Sequence, residues 1–221
     1  MVQIDTFLAA FEAALTRTFG ERVRFFGIQG SYARGEADEM SDIDPAVILD
    51  VLTPEDIARY RAMLDTLPER DKICGFLCGA AEFGAWDRAD LFNFYFTTDP
   101  IIGSLDALIP PPTRGEALAA MRIGACGICH GCVHSMCGGR SLGALTELYK
   151  SAVFVLQAAH FVKTGEFVRK HAELAQVCSP EEAAIVRTAQ ALRRGEAVDY
   201  DAAAVSLYEF AREVIASGAP S

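Results

Sequence analysis

Gly30-Ser31-Tyr32-Ala33-Arg34-Gly35-Glu36-Ala37-Asp38-Glu39-Met40-Ser41-Asp42-Ile43-Asp44 is the stretch on which the reading of this chain turns. Before it, Val23 to Ile28 is rich in β-branched and aromatic residues and predicts a strand. After it, Asp44 to Leu49 is apolar enough for a second, buried strand. A strand therefore enters, a Gly-Ser pair turns the chain, ten residues pass, and an Asp-x-Asp pair opens the next strand. Gly30 lets backbone come close to a ligand and adopts dihedrals closed to other residues. Ser31 is expected to cap a short helix beginning at Tyr32, whose free N–H groups favour an anion such as a triphosphate. Asp42 and Asp44 stand two apart on a strand, so their side chains leave the same face. Adjacent carboxylates repel unless a cation lies between them, and hard oxygen ligands suit Mg²⁺.

Working outward, residues 3 to 19 carry Ile4, Phe7, Leu8, Phe11, Leu15 and Phe19 at three- and four-residue steps, with Gly20 as a stop, and predict an amphipathic helix. Thr53-Pro54-Glu55 has the chemistry of a helix start, and that helix is expected to run to about Leu67, before Pro68. Two further strands are expected at Ile73 to Phe83 and Ala89 to Phe96. Asp99-Pro100 and Pro110-Pro111-Pro112 then mark a change of regime. Beyond them every segment reads as helix, near 115–137, 142–163, 166–177, 180–194 and 199–216. The expected domains are 1–110, mixed strand and helix, and 111–221, a helical bundle, joined around residues 97 to 114.

Composition narrows the function classes. The 221 residues include 30 acidic and 20 basic side chains, a net charge of −10, and 51% hydrophobic residues. That excludes disorder and allows a full core. No apolar stretch is long and uninterrupted enough for a membrane span. Gln3, Asp5 and Glu12 break up any export signal, so the expected compartment is the cytoplasm. A surface at −10 does not grip a nucleic-acid backbone, which needs clustered Lys and Arg. Cationic small molecules or other proteins fit better.

The wording Gly-Ser-x-Ala-Arg-Gly-x-Ala-x-x-x-Ser-Asp-Ile-Asp resembles the signature of polymerase-beta-type nucleotidyltransferases, closest to the minimal and kanamycin nucleotidyltransferase-like branches. The resemblance implies an α/β (α+β) mixed-sheet domain followed by an all-α, HEPN-like helical bundle. It implies transfer of a nucleoside monophosphate, AMP first among them, from a nucleoside triphosphate to a hydroxyl of a small acceptor. Gly30 and Ser31 would cradle the triphosphate, with Arg34 and Lys150 as further candidate contacts. Two Mg²⁺ ions would sit on Asp42, Asp44 and a third carboxylate from a later, adjacent strand. Asp90 is the best match for that third acid or for a general base, with Asp87 and Glu82 behind it. The resemblance allows a homodimer but assigns no residue to its interface. Pro45 departs from the family pattern, where an apolar residue that donates a strand hydrogen bond usually follows the acids; proline suits a strand's first position or edge. Arg34 has a competing use, pairing with Glu36 or Asp38.

A second cluster is Cys126, Cys129, His130, Cys132, His134 and Cys137. On spacing alone the four cysteines suggest zinc or an iron–sulfur cluster. Against that, the segment continues a helical run, on which Cys126, Cys129 and Cys137 share one broad face and Cys132 lies off it. Small cysteines turned toward neighbouring helices explain the pattern without metal. Cys74, Cys78 and Cys178 read as buried thiols. His160, Lys163, Arg169, Lys170 and His171 read as a solvated helix face, with nucleotide contact as the sharper alternative. Two other function classes stay open: a toxin–antitoxin-type regulatory or AMPylating module, and a metal-binding protein built on the cysteine cluster.

Overall fold

The computed structural model describes residues 2–217. The chain divides into two compact units, one from residues up to Asp87 with Phe94–Pro111, the other from Arg88–Asn93 with the chain from Pro112 onward.

In the first unit, α1 (Ile4–Phe19) leads to β1 (Val23–Gln29), then α2 (Gly30–Arg34), β2 (Asp44–Leu49) and α3 (Pro54–Leu64). β3 (Phe76–Gly79), α4 (Ala80–Ala85) and β4 (Asp99–Ile102) follow, and α5 (Leu91–Thr97), between α4 and β4, is divided between the two units after Asn93. The sheet order is β3-β2-β1-β4, with β2 parallel to β3 and the β1 pairings antiparallel. The apolar stripe of α1 supplies Phe7, Phe11, Leu15 and Phe19 to a core with Phe26 and Ile28 of β1, and Ile43, Val47 and Leu49 of the second strand line. Phe11 stacks on Phe26 at 4.9 Å between ring centroids. α3 closes this core with Tyr60 and Met63. It starts where the sequence predicts, Thr53 and Asp56 forming a capping box ahead of Pro54.

Two expectations fail in this unit. The strand expected over Ile73 to Phe83 is only Phe76–Gly79, because Gly79 caps α4 and Ala80–Ala85 turns helical. Upstream it shrinks to a single parallel bridge, Ile43↔Ile73, for a reason written in β2. The next ladder bond on that side would come from the N–H of residue 45, and Pro45 has none. Pro45 thus stands in an inner strand, not at an edge, with Gly75 beside it: a Cβ on Gly75 would lie 2.2 Å from the Pro45 carbonyl oxygen. The strand expected over Ala89 to Phe96 is instead the helix α5. Its alternating aromatics are not a sheet face. Phe94 packs on Phe76 and Phe83, whereas Phe92 packs on Phe161 and Phe167 of the second unit, as residues two apart on a helix diverge.

The second unit is helical: α6 (Arg114–Cys137), α7 (Leu142–Thr164), α8 (His171–Val177), α9 (Pro180–Arg193) and α10 (Tyr200–Ser217). Capping boxes at Thr113/Glu116 and Ser179/Glu182 open α6 and α9, and Gly165 in the left-handed region closes α7. The helix expected over 166–177 begins only at His171; the segment before it is held by the Gln157 side-chain amide, which donates to the carbonyls of Val168 and Arg169. Tyr149 donates from inside the bundle to the Ala203 carbonyl at 3.0 Å, and Ser135 hydrogen-bonds Tyr200 at 2.7 Å.

Candidate active site

The acid pair sits where β2 begins. Ile43 lies between the two acids; it is fully buried in the core and bridged to Ile73. Alternation therefore turns Asp42 and Asp44 to the opposite side, with Asp42 exposed and Asp44 half-buried. The pair is delivered by a built turn. Asp38 Oδ1 accepts from the Met40 N–H and from the Ser41 hydroxyl, and the Asp38 N–H donates to Ser41 Oγ at 2.8 Å. Ser41 is buried, so this turn is part of the fold. The Asp-x-x-Ser spacing was its signal in the sequence.

Across the antiparallel pairing Asp44 faces Gln29, and the chain turns immediately afterwards into α2. Gly30 has φ +68°, and a Cβ there would stand 2.0 Å from Asp44 Oδ2. Only glycine admits both that dihedral and that carboxylate against the backbone. The side chain of Gln29 donates to Thr98 Oγ1 at 2.6 Å, tying the end of β1 to the residue before β4.

Other expected residues fall differently. Ser31 lies inside α2 and does not cap it; the cap position is Gln29, whose side chain makes no capping bond. Arg34 is paired with Glu36 at 2.9 Å, the structural use weighed against a phosphate contact. Asp90 is not on a strand beside the acids: it is an exposed turn residue just before α5 and belongs to the second unit. Lys150, also in the second unit, is an exposed residue of α7 that lies 3.9 Å from Glu147. Asp87 and Glu82 are exposed, and Glu82 lies near Gly79, at the far end of β3 from the acid pair.

The cysteine row reads opposite to expectation. Cys132, placed off the shared face, is the buried one; Cys126 and Cys137 are exposed and Cys129 is intermediate. Burial pushes the Cys132 thiol up to about 11, which favours the neutral form over the thiolate that binds metal. Cys74 is exposed, contrary to its reading as a buried thiol, whereas Cys78 is buried and Cys178 intermediate. Among the described residues no group of three or more His, Cys, Asp or Glu is arranged to hold a metal ion.

The Gly30–Ser31 turn at the end of β1 and the acid pair where β2 begins are the features that carry the resemblance to nucleotidyltransferases. Residues 11–91 match the family model described as "Nucleotidyltransferase domain". Residues 11–91 thus carry the nucleotidyltransferase domain that the signature resembles, the domain of a transferase. Among solved structures, spectinomycin adenyltransferase AAD(9) from Enterococcus faecialis, determined with ATP and spectinomycin, shares the fold at TM-score 0.62. The identity is 12%, over 95% of this chain and 98% of that one. No curated protein is a significant sequence match.

Proposed function

We propose that this protein transfers AMP from a nucleoside triphosphate to a hydroxyl of a small, cationic, aminoglycoside-like acceptor. The observation that carries the reading is the Asp44 carboxylate seated against Gly30, with exposed Asp42 two residues before it and buried Ile43 between them. Two carboxylates that alternation about Ile43 turns to one side are a donor set for a hard divalent cation, so the residue types present fit Mg²⁺. When bound there, Mg²⁺ supplies charge neutralisation for a triphosphate.

The chain's own residues account for the rest. Gly30 and Ser31 bring backbone without a bulky side chain to the place where phosphate oxygens must approach. The Asp38–Ser41 turn fixes where Asp42 leaves the loop, which limits reorganisation when the donor binds. A net charge of −10 favours a cationic acceptor over an anionic one. Arg34 and Lys150 stay outside this reading, since each has an acidic neighbour of its own. Asp90 stays outside it because the strand that motivated its choice is a helix. The adenyltransferase of the same fold, with ATP and spectinomycin in its structure, supports the donor and acceptor chemistry.

The test incubates protein and Mg²⁺ with each of the four nucleoside triphosphates and a panel of aminoglycosides, other hydroxylated antibiotics and candidate proteins. Mass spectrometry is expected to find an AMP adduct on a cationic small molecule, absent with Asp42→Asn. Adducts on protein tyrosines instead would favour the AMPylating alternative. Pyrophosphate release undiminished in Asp42→Asn would overturn the site.

A further inference from the structure

The sheet around the acid pair limits how many cations it holds. β2 lies between β1 and β3, so Asp44 has one lateral neighbour on each side. Across β1 that neighbour is Gln29, a neutral amide already engaged with Thr98. Across β3 the parallel register runs Ile43↔Ile73 and resumes at Ala46↔Phe76, which sets Cys74 opposite Asp44 and Lys72 opposite Asp42. Ile73 packs against the core with Ile43, so Cys74 faces the side that carries the acids. None of these three flanking positions is a carboxylate. Among the described residues no third acidic, histidine or cysteine side chain joins the pair as a metal-holding group.

Two carboxylates bring two negative charges, which a single divalent cation neutralises. The triphosphate brings charge and oxygen ligands for the cation it accompanies, but a second cation held by the sheet would need a further protein carboxylate, and none flanks the pair. The two-ion, three-acid arrangement that the family resemblance implies is therefore not built into this sheet. We infer that the Asp42–Asp44 pair holds one divalent cation, and that Cys74 fills the sheet position from which a third carboxylate would hold a second. The inference rests on the proposed reading of the pair as a cation site. It assigns the acceptor hydroxyl an activation that does not come from a metal held by β3.

Electron paramagnetic resonance with Mn²⁺ and α,β-methylene-ATP separates the cases without reference to turnover. The wild-type chain is expected to take up one Mn²⁺ per nucleotide complex, with no spin-coupled pair. Cys74→Asp places a carboxylate in register with Asp44 and is expected to add a second, spin-coupled Mn²⁺. Cys74→Ser is expected to leave the count at one. Cys74 is exposed, and circular dichroism checks that both variants fold. Two coupled Mn²⁺ in the wild type, or one in Cys74→Asp, would overturn the inference while leaving the acid pair as a cation site. No protein-dependent Mn²⁺ uptake at all would overturn the cation-site reading itself, and the inference with it.

Discussion

At Gly30 two constraints act on one residue. Its φ of +68° strains any L side chain, and Asp44 Oδ2 occupies the space a Cβ would need. Gly35 has nearly the same φ, +69°, but open space around it. The pair gives a controlled comparison. Gly35→Ala is expected to cost about 1 kcal/mol from the backbone alone. Gly30→Ala is expected to cost roughly 2–3 kcal/mol and, because Asp44 must move, to weaken Mg²⁺-dependent triphosphate binding at least tenfold. Denaturant unfolding and equilibrium binding check both. Equal stability losses in the two variants, with binding intact in each, would contradict the contact. The residue scale is also where the sequence was most readable. Gly30, Asp42 and Asp44 were recognisable because a local dihedral need and a two-residue alternation leave a direct mark on sequence. Cys74 was not, since its place beside Asp44 depends on a register between segments thirty residues apart.

Among the elements, β1, β2, α1 and α3 were legible for the same reason: each buries one face, and each has its own start or stop chemistry. α5 was not. Leu91 to Phe96 has the alternation of a strand, yet it buries aromatics on both sides of a short helix, Phe92 in one unit and Phe94 in the other. Burial on both faces erases the helical period, and neighbours then decide the backbone. β3 was overextended because nothing within it announces that Pro45, on another strand, removes a ladder bond.

The link between β1, β2 and α3 carries a pH dependence. Arg22 donates to both carboxylate oxygens of Asp56 at 2.8 and 2.9 Å and to Asp50 at 3.0 Å. These bonds, with those from Thr53, hold the Asp56 carboxyl well below the usual carboxylate range. Its stabilising contribution is therefore complete above the unfolded-state value of about 3.9 and is lost as pH falls toward the lower folded-state value. Stability measured from neutral pH downward is expected to fall below about pH 4, and less steeply in Asp56→Asn. An unchanged slope in that variant would assign the acid sensitivity elsewhere. Thr53→Ala, which removes half of the capping box, is expected to cost about 1 kcal/mol at neutral pH.

For the whole molecule, charge is the broadest clue. The chain's −10 arises from 30 acids against 20 bases, and among the described residues no helix is long and apolar enough to cross a membrane. A cationic acceptor drawn by that field should bind more weakly as salt rises from about 50 to about 500 mM, because screening shortens the reach of the acids. Salt-independent acceptor binding, measured by calorimetry, would count against a cationic partner.

The most direct test of the account is calorimetric titration of a non-hydrolysable ATP analogue into the wild-type chain, Asp42→Asn and Asp44→Asn, each with Mg²⁺ and with chelator. The account predicts binding by the wild type that needs Mg²⁺, and its loss in both variants with their unfolding transitions unchanged. Mg²⁺-dependent binding that survives both substitutions would contradict it.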